Sequence, residues 1–324
     1  MREVAVTAAL PGSALERLAL RHTVRVRPRG PALGGRELVS FVGNADALVC
    51  LLADRVAAEV FALCPRLVVV ANYAVGVNNI DLEAARTSGV WVTNTPDVLT
   101  DATADLAWSL ILAVARRVVE GDRLVRAGGF SGWKPDLLLG AGLQGKTLGI
   151  VGMGRIGRAV ARRAAGFGMW VCYNARTQAP PIEGAGTEFV PDLDAMLARS
   201  NVLSLHTPLT HQTRHLLDER RLRLLPRGAL LVNTSRGEVV DEAALARVLA
   251  SGHLAGAGLD VYEREPEVHA ALLGRDDVVL LPHLGSATRE ARQAMADLAV
   301  DNVLAVLDGR PPLTPVIRPL VPRS

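Results

Sequence analysis

Short apolar runs alternate along the chain with stretches in which apolar residues recur every three or four positions. The runs suit buried strands and the wider spacing suits amphipathic helices, so the pattern predicts parallel α/β architecture almost throughout. A first series of strands falls at Val4–Thr7, Thr23–Val26, Ala47–Leu51, Leu67–Ala71 and Val90–Thr93, with helices over Val56–Leu63 and Leu82–Thr87 between them. A second series falls at Thr147–Val151, Met169–Tyr173, Thr187–Val190, Val202–His206, Ala229–Asn233, Ala255–Leu259 and Val278–Leu281. A long helix over Ala102–Glu120 separates the two; Thr100 or Asp101 can cap its first amides and Gly121 can end it. A last helix, Ala287–Leu307, runs into Asp308-Gly309 and a Pro-rich end, and its apolar face needs the first series as a partner. The second series is therefore expected as an inserted domain, residues 100–285, within a domain made of residues 1–99 and 286–324. Two short crossings, near Val98–Asp101 and Leu284–Ala287, would form a hinge over a cleft.

Composition narrows the class. With 324 residues, 49% hydrophobic and 21% charged, the chain can build two cores and carries no disordered tract. The net charge of +3 raises nucleic acid as a partner, but the basic residues are nearly all Arg, Lys134 and Lys146 excepted, and they are spread among acids. Clusters at Arg116-Arg117, Arg162-Arg163 and Arg220-Arg221-Arg223 read as solvated helix faces. Such a diffuse field suits small anionic ligands better than a duplex, so no nucleic acid is expected. The start, Met1 to Val6, carries an acid and no long apolar run, which argues against a signal peptide. No stretch reaches the roughly 20 apolar residues of a membrane span. Cys50, Cys64 and Cys172 lack metal-ligand spacing and predict buried thiols in a cytoplasmic protein without a metal site.

The strand Thr147–Val151 leads directly into Gly152-Met153-Gly154-Arg155-Ile156-Gly157, followed by a helix over Arg158–Phe167. Strand, GxGxxG and helix in that order are the dinucleotide-binding arrangement of a Rossmann domain. The first glycine makes a tight turn, the second lets a pyrophosphate approach, and Gly157 lets the helix pack on the strand. Free amides at the helix start then hold the phosphates. An NAD site usually adds an Asp or Glu about 20 residues on, for the ribose 2′-OH. Here the next strand ends in Asn174-Ala175-Arg176-Thr177. The missing carboxylate and Arg176 favour a 2′-phosphate, hence NADPH, with NADH as the alternative.

Three sequences fall where strands of the second series end: Thr234-Ser235-Arg236-Gly237, then Asp260 with Glu263, Glu265 and Pro266, then Pro282-His283-Leu284-Gly285. Open α/β sheets bind ligands at such ends. Reducing a ketone needs a cation to grip a substrate carboxylate and a donor for the carbonyl oxygen. Arginine brings a planar fork to the first task. A histidine held by a carboxylate suits the second. Each could serve as mere structure, Arg236 as a turn cap and His283 as a core histidine. Their succession after a dinucleotide loop makes a shared chemical role the better reading.

With these motifs in place, nearly the whole chain resembles the D-isomer-specific 2-hydroxyacid dehydrogenases. The matching segments include Ala71–Gly76, Asn94–Ala104, Leu148–Gly157, Leu205–Thr210, Asn233–Gly237, Gly258–Tyr262 with Glu265-Pro266, and Leu281–Thr288. Thr100–Ala104 and Pro282–Thr288 look most like the glyoxylate and hydroxypyruvate reductases of that family. The resemblance implies a Rossmann domain inserted into a smaller flavodoxin-like α/β substrate domain, acting on a small 2-keto or 2-hydroxy acid. It implies that Arg236 binds the substrate carboxylate, that His283 is the acid/base and that Glu265 pairs with it. The backbone of Val75 and Gly76 would clasp the carboxylate from the smaller domain. Thr103, Pro208, Thr234, Asp260 and Gly285 would surround the nicotinamide and its ribose, with Ser235, Arg236 and His283 also among the cofactor contacts. A homodimer formed through the long helix and the arm after it, about 102–140, is implied as well. Val77-Asn78 and Leu137 depart from close relatives and bear on substrate choice. His206, His211, His215, His253 and His269 match no catalytic position and read as surface or loop residues. The rival class is a nucleotide-gated adaptor like the C-terminal binding protein corepressors, which keep the same fold and the same three residue types.

Overall fold

The computed structural model describes every residue except Glu183 and Ser324. Two compact units are present, one of Met1–Leu99 with Ser286–Ser324 and one of Thr100–Gly285. The first begins with β1 (Glu3–Val6), α1 (Ala14–Ala19), β2 (Thr23–Val26), α2 (Gly35–Val42), β3 (Ala47–Leu51), α3 (Ala58–Leu63), β4 (Val69–Tyr73), α4 (Leu82–Thr87) and β5 (Trp91–Thr93). The second opens with α5 (Thr100–Ala115) and α6 (Val118–Arg126), then β6 (Thr147–Val151), α7 (Arg155–Ala164), β7 (Trp170–Asn174) and β8 (Thr187–Phe189). It continues with α8 (Leu193–Leu197), β9 (Val202–Leu205), α9 (Glu219–Leu222), β10 (Ala229–Asn233), α10 (Glu242–Ala250), β11 (Leu254–Leu259), α11 (Ala270–Leu273) and β12 (Val278–Leu280). The chain then returns to the first unit as α12 (Arg289–Leu307) and β13 (Pro315–Ile317).

In the second unit the sheet order is β12-β11-β10-β9-β6-β7-β8, with every neighbouring pair parallel. Strand side chains alternate between faces, and both faces are covered. On β10, Leu231 joins Leu245 and Leu249 in one core, whereas Leu230 and Val232 join Leu110, Ile111 and Val160 in the other. The order reverses between β9 and β6, so the loops after these strands diverge and leave a crevice for a ligand. In the first unit the order is β13-β5-β4-β3-β1-β2, parallel except for β13 on β5. Leu38, Val60 and Phe61 line its core, and α12 packs across β3 and β4.

Several boundaries differ from the sequence reading. The expected helix Ala102–Glu120 is two helices, because Arg117 adopts φ 52° and the arm returns to donate Ala141 N–H to the Ala115 carbonyl at 2.7 Å. That contact takes a carbonyl α5 would need to continue. Thr100 and Asp101 lie inside α5 rather than capping it, and Gly121 lies inside α6 rather than ending the long helix. Strand β4 lies two residues later than expected, since Val68–Ala74 is buried without alternation and carries no mark of its edge. Helix α7 begins at Arg155, three residues early, and passes into a 3-10 turn at Ala165–Phe167. The C-terminal helix starts two residues late, where Thr288 Oγ1 accepts the Ala291 N–H at 3.1 Å. The Pro-rich end holds an unexpected strand, β13, whose Pro315 sits on the sheet edge where a missing N–H is tolerated. The arginine clusters are not plain solvated faces either. Arg163 pairs with Asp101 and Asp105, and Arg221 with Asp194.

All three cysteines are buried and unpaired. Among the described residues no helix is long and apolar enough to cross a membrane, and no cluster of His, Cys, Asp and Glu could hold a metal ion.

Candidate active site

Strand β6 ends at the switch of strand order, and the glycine loop begins there. Gly152 has φ +95°, and a Cβ on it would lie 2.4 Å from the His206 carbonyl oxygen. A Cβ on Gly157 would lie 2.1 Å from the Gly152 carbonyl oxygen. Only hydrogen fits at either position, so the two glycines let loop, helix and neighbouring strand close on one another. Gly154 is different: a Cβ there meets nothing within 4 Å. It precedes α7, whose first amides, as at any helix start, have no acceptor within the helix itself. Met153, within the loop, is buried. That cradle fits a pyrophosphate.

At the end of β7 the Asn174 amide is committed elsewhere, donating to the Val190 and Pro191 carbonyls at 2.9 and 3.0 Å. Ala175 is half-buried, while Arg176 and Thr177 are exposed. After β9, Pro208 is exposed and its carbonyl accepts the Thr213 hydroxyl at 2.7 Å. His206 lies in the loop after β9 and is half-buried. Its Nδ1 is buried with no partner among the described residues, its Nε2 meets Ser204 Oγ at 2.8 Å, and burial pushes its pKa down to about 3. The other four histidines stay on surface or loop positions, as with His215, whose Nε2 meets Glu263 Oε1 at 2.7 Å.

Strands β10, β11 and β12 are neighbours, so the loops after them share one end of the sheet. Asn233 shapes the first loop. Its Oδ1 accepts from Ser235 N at 3.0 Å and Ser235 Oγ at 2.8 Å, and its Nδ2 donates to the Arg236 carbonyl at 2.8 Å. Sequence reading gave Asn233 no task; the signal was an Asn at a strand end directly before Thr-Ser-Arg. Thr234 is buried there, and its hydroxyl has no partner among the described residues. An orphaned hydroxyl of this kind is expected where a ligand supplies the bond. Arg236 is half-buried, with Nη1 donating to the Ser235 carbonyl at 2.7 Å. Burial draws the guanidinium below its ordinary value against the charges of Glu265 and Glu238, yet an arginine stays charged.

His283 is held in the left-handed region at φ 54° by its own N–H donating to the Asp260 carbonyl at 3.0 Å. Its Nδ1 lies 2.9 and 3.2 Å from the two Glu265 oxygens. With Nδ1–H on the carboxylate, Nε2 is the atom left for proton transfer. Burial alone would push Glu265 up. The hydrogen bond and charge of His283, the Tyr262 amide and the charge of Arg236 outweigh it, so the carboxyl sits below its ordinary range. Asp260 is fully buried and accepts the Leu284 and Gly285 amides at 2.6 and 2.8 Å. Gly285 in turn accepts the Thr103 hydroxyl at 2.9 Å. Burial raises Asp260; the two amides and His283 oppose it.

Val75 and Gly76 belong to the first unit, in the loop after β4. There the Val75 and Gly76 carbonyls accept from Asn94 and Asn72 side chains at 2.7 and 2.8 Å. A trans peptide points its N–H opposite its carbonyl, so the amides of Gly76 and Val77 are turned the other way. A cavity of roughly 690 Å³ lined by Val114, Glu120, Leu139, Leu230, Ala255 and Val279 lies near the amino ends of β10 to β12, at the edge opposite His283.

A family model described as D-isomer specific 2-hydroxyacid dehydrogenase, NAD binding domain, matches residues 108–285. The chain is 48% identical to a glyoxylate reductase of Thermococcus onnurineus over 321 residues, 98% of this chain and 96% of that one. Its fold superposes on the crystal structure of a Thermus thermophilus protein with a TM-score of 0.92 and 51% identity, over 97% of this chain and all of that one. The NADPH-dependent glyoxylate/hydroxypyruvate reductase of Sinorhizobium meliloti, in complex with NADP and malonate, gives a TM-score of 0.88 at 35% identity, over 100% of this chain and 99% of that one.

Proposed function

The chain belongs to the D-isomer-specific 2-hydroxyacid dehydrogenases, and on that premise we propose that it reduces glyoxylate or hydroxypyruvate to the 2-hydroxy acid with NAD(P)H. The observation that carries this reading is the hydrogen-bonded Glu265–His283 pair beside Arg236, at the strand ends of a sheet whose glycine loop suits a dinucleotide. Residues 152–157 would hold the pyrophosphate at the start of α7. Thr103, Pro208, Thr234, Ser235, Asp260 and Gly285 would hold the nicotinamide end. The nicotinamide, when bound, supplies the hydride. Arg236 offers two parallel N–H groups to the substrate carboxylate and draws charge from the adjoining carbonyl. His283 Nε2 gives its proton to the carbonyl oxygen while Glu265, on Nδ1, orients the ring and steadies its charged form. In the first unit, the backbone of Val75 and Gly76 is our proposed second contact for the carboxylate.

NADPH is the proposed preferred cofactor. No carboxylate ends β7 to repel a 2′-phosphate, and Arg176 is exposed with no ion pair among the described residues. A homodimer through the arm is proposed too. Val118, Val125, Phe130, Trp133 and Leu139 are exposed along it, more apolar surface in one segment than a monomer usually shows. A cytoplasmic location agrees with three unpaired cysteines. A corepressor-like adaptor is not favoured by relatives that are reductases over nearly their full length. The test is NADPH oxidation with glyoxylate and with hydroxypyruvate, repeated with NADH. Turnover of either acid is expected; none with either cofactor would overturn the proposal.

A further inference from the structure

Glu242 is a carboxylate only 6% exposed that the mechanism above does not use. Burying a charge is costly unless the site returns hydrogen bonds or a countercharge. No arginine or lysine forms an ion pair with it among the described residues. Its partners are backbone amides instead: Glu263 N–H donates to Oε1 at 2.6 Å, and His269 N–H donates to Oε2 at 3.3 Å. Glu242 is also the first residue of α10, where the helix start favours negative charge, and Asp241 caps that helix on the Ala244 amide at 2.8 Å. Burial still lifts the Glu242 carboxyl above its ordinary range, with the two amides opposing.

The two amides stand at the ends of one short loop, 263–269, and Glu265 lies inside it. A turn closed by Glu267 N–H on the Arg264 carbonyl, 2.9 Å, sits within the same loop. Untied at its ends, the loop would gain conformations in which Glu265 misses its partner. We infer that Glu242 is a positioning residue for the reaction: by binding the amides of Glu263 and His269 it sets the Glu265 carboxylate against Nδ1 of His283. The inference rests on the Glu265–His283 reading above, and it names a residue that touches neither substrate nor cofactor.

Two variants attack the tie from opposite sides. Glu242→Gln keeps the shape but replaces one acceptor by a donor, so one amide loses its bond. His269→Pro deletes an N–H at a residue whose φ of −57° proline can adopt. Each is compared with the native residue in the wild-type and Glu265→Gln backgrounds, measuring kcat/KM for glyoxylate against pH and the Kd of NADPH. In the wild-type background kcat/KM should fall about tenfold and its alkaline limb should move to lower pH. In the Glu265→Gln background the further loss should stay within about twofold, and NADPH affinity should hold in both. Equal losses in the two backgrounds, or a loss with an unmoved limb, would overturn the inference. If Glu242→Gln does not fold, His269→Pro decides by the same readings. A Glu265→Gln enzyme with a native profile would instead remove the premise, and the inference with it.

Discussion

Arg236 and Glu265 feel each other's charge, and Glu265 bonds His283, so a change at any one of them is felt by the others. Arg236→Lys keeps the charge but loses the planar fork. We expect kcat/KM on glyoxylate to fall at least about a hundredfold with NADPH affinity retained, since the lost interaction serves the reacting acid. Near-native kcat/KM in that variant would contradict the clamp. Glu265 is held below its ordinary carboxylate range, so it is ionised throughout the neutral region and gives Nδ1 of His283 a charged partner. Reduction consumes a proton at the carbonyl oxygen, so it must slow as pH rises. Glu265→Gln should therefore shift the alkaline limb of reductive kcat/KM to lower pH. The same depressed carboxyl contributes stability above about pH 4.3 that is lost as pH falls through its lowered value, and urea unfolding across acid pH should show the variant lacking this window.

At the scale of elements, the glycine loop and the end of β7 carry separable predictions. Gly157→Ala places a methyl 2.1 Å from the Gly152 carbonyl oxygen, backbone that has little room to yield. It should cost about 1–3 kcal/mol in urea unfolding and weaken NADPH binding as well. At β7, Ala175→Asp with Arg176→Ala should exchange the NADPH preference for NADH without harming kcat on NADH. Charge-assisted bonds to a 2′-phosphate are worth about 1.5–3 kcal/mol, enough for a preference of about tenfold or more. A native enzyme with equal kcat/KM for both cofactors in low salt would reject that assignment. Elements of this kind were largely legible in the sequence, because strand runs such as Thr147–Val151 and Ala229–Asn233 are short, apolar and followed at once by punctuating residues. What local pattern could not show were events set by distant chain. The break at Arg117 depends on Ala141 arriving at Ala115, and β13 depends on β5 offering its edge. The site divides in the same way: residue types announce Arg236, Glu265 and His283, whereas the tie of Glu242 to residues 263 and 269 exists only once the chain is folded.

For the whole molecule, insertion of residues 100–285 between two parts of the first unit means the chain passes twice between units, at Leu99–Thr100 and Gly285–Ser286. Gly285 and its neighbour Leu284 are bound to Asp260, so the second passage starts from the loop that carries His283. The exposed apolar side chains of the arm should make the protein dimeric. Trp133→Glu, placing a charge where 82% of the residue is exposed in one chain, should lower the mass found by sedimentation if that face is shared. The proposed reaction turns on proton delivery from His283 to a small 2-keto acid. Its most direct test is single-turnover oxidation of bound NADPH by saturating glyoxylate in the native enzyme and in His283→Asn. Rapid oxidation is expected in the first and a rate lower by about a hundredfold or more in the second, with NADPH bound equally well. A His283→Asn enzyme oxidising NADPH within about tenfold of the native rate would contradict it.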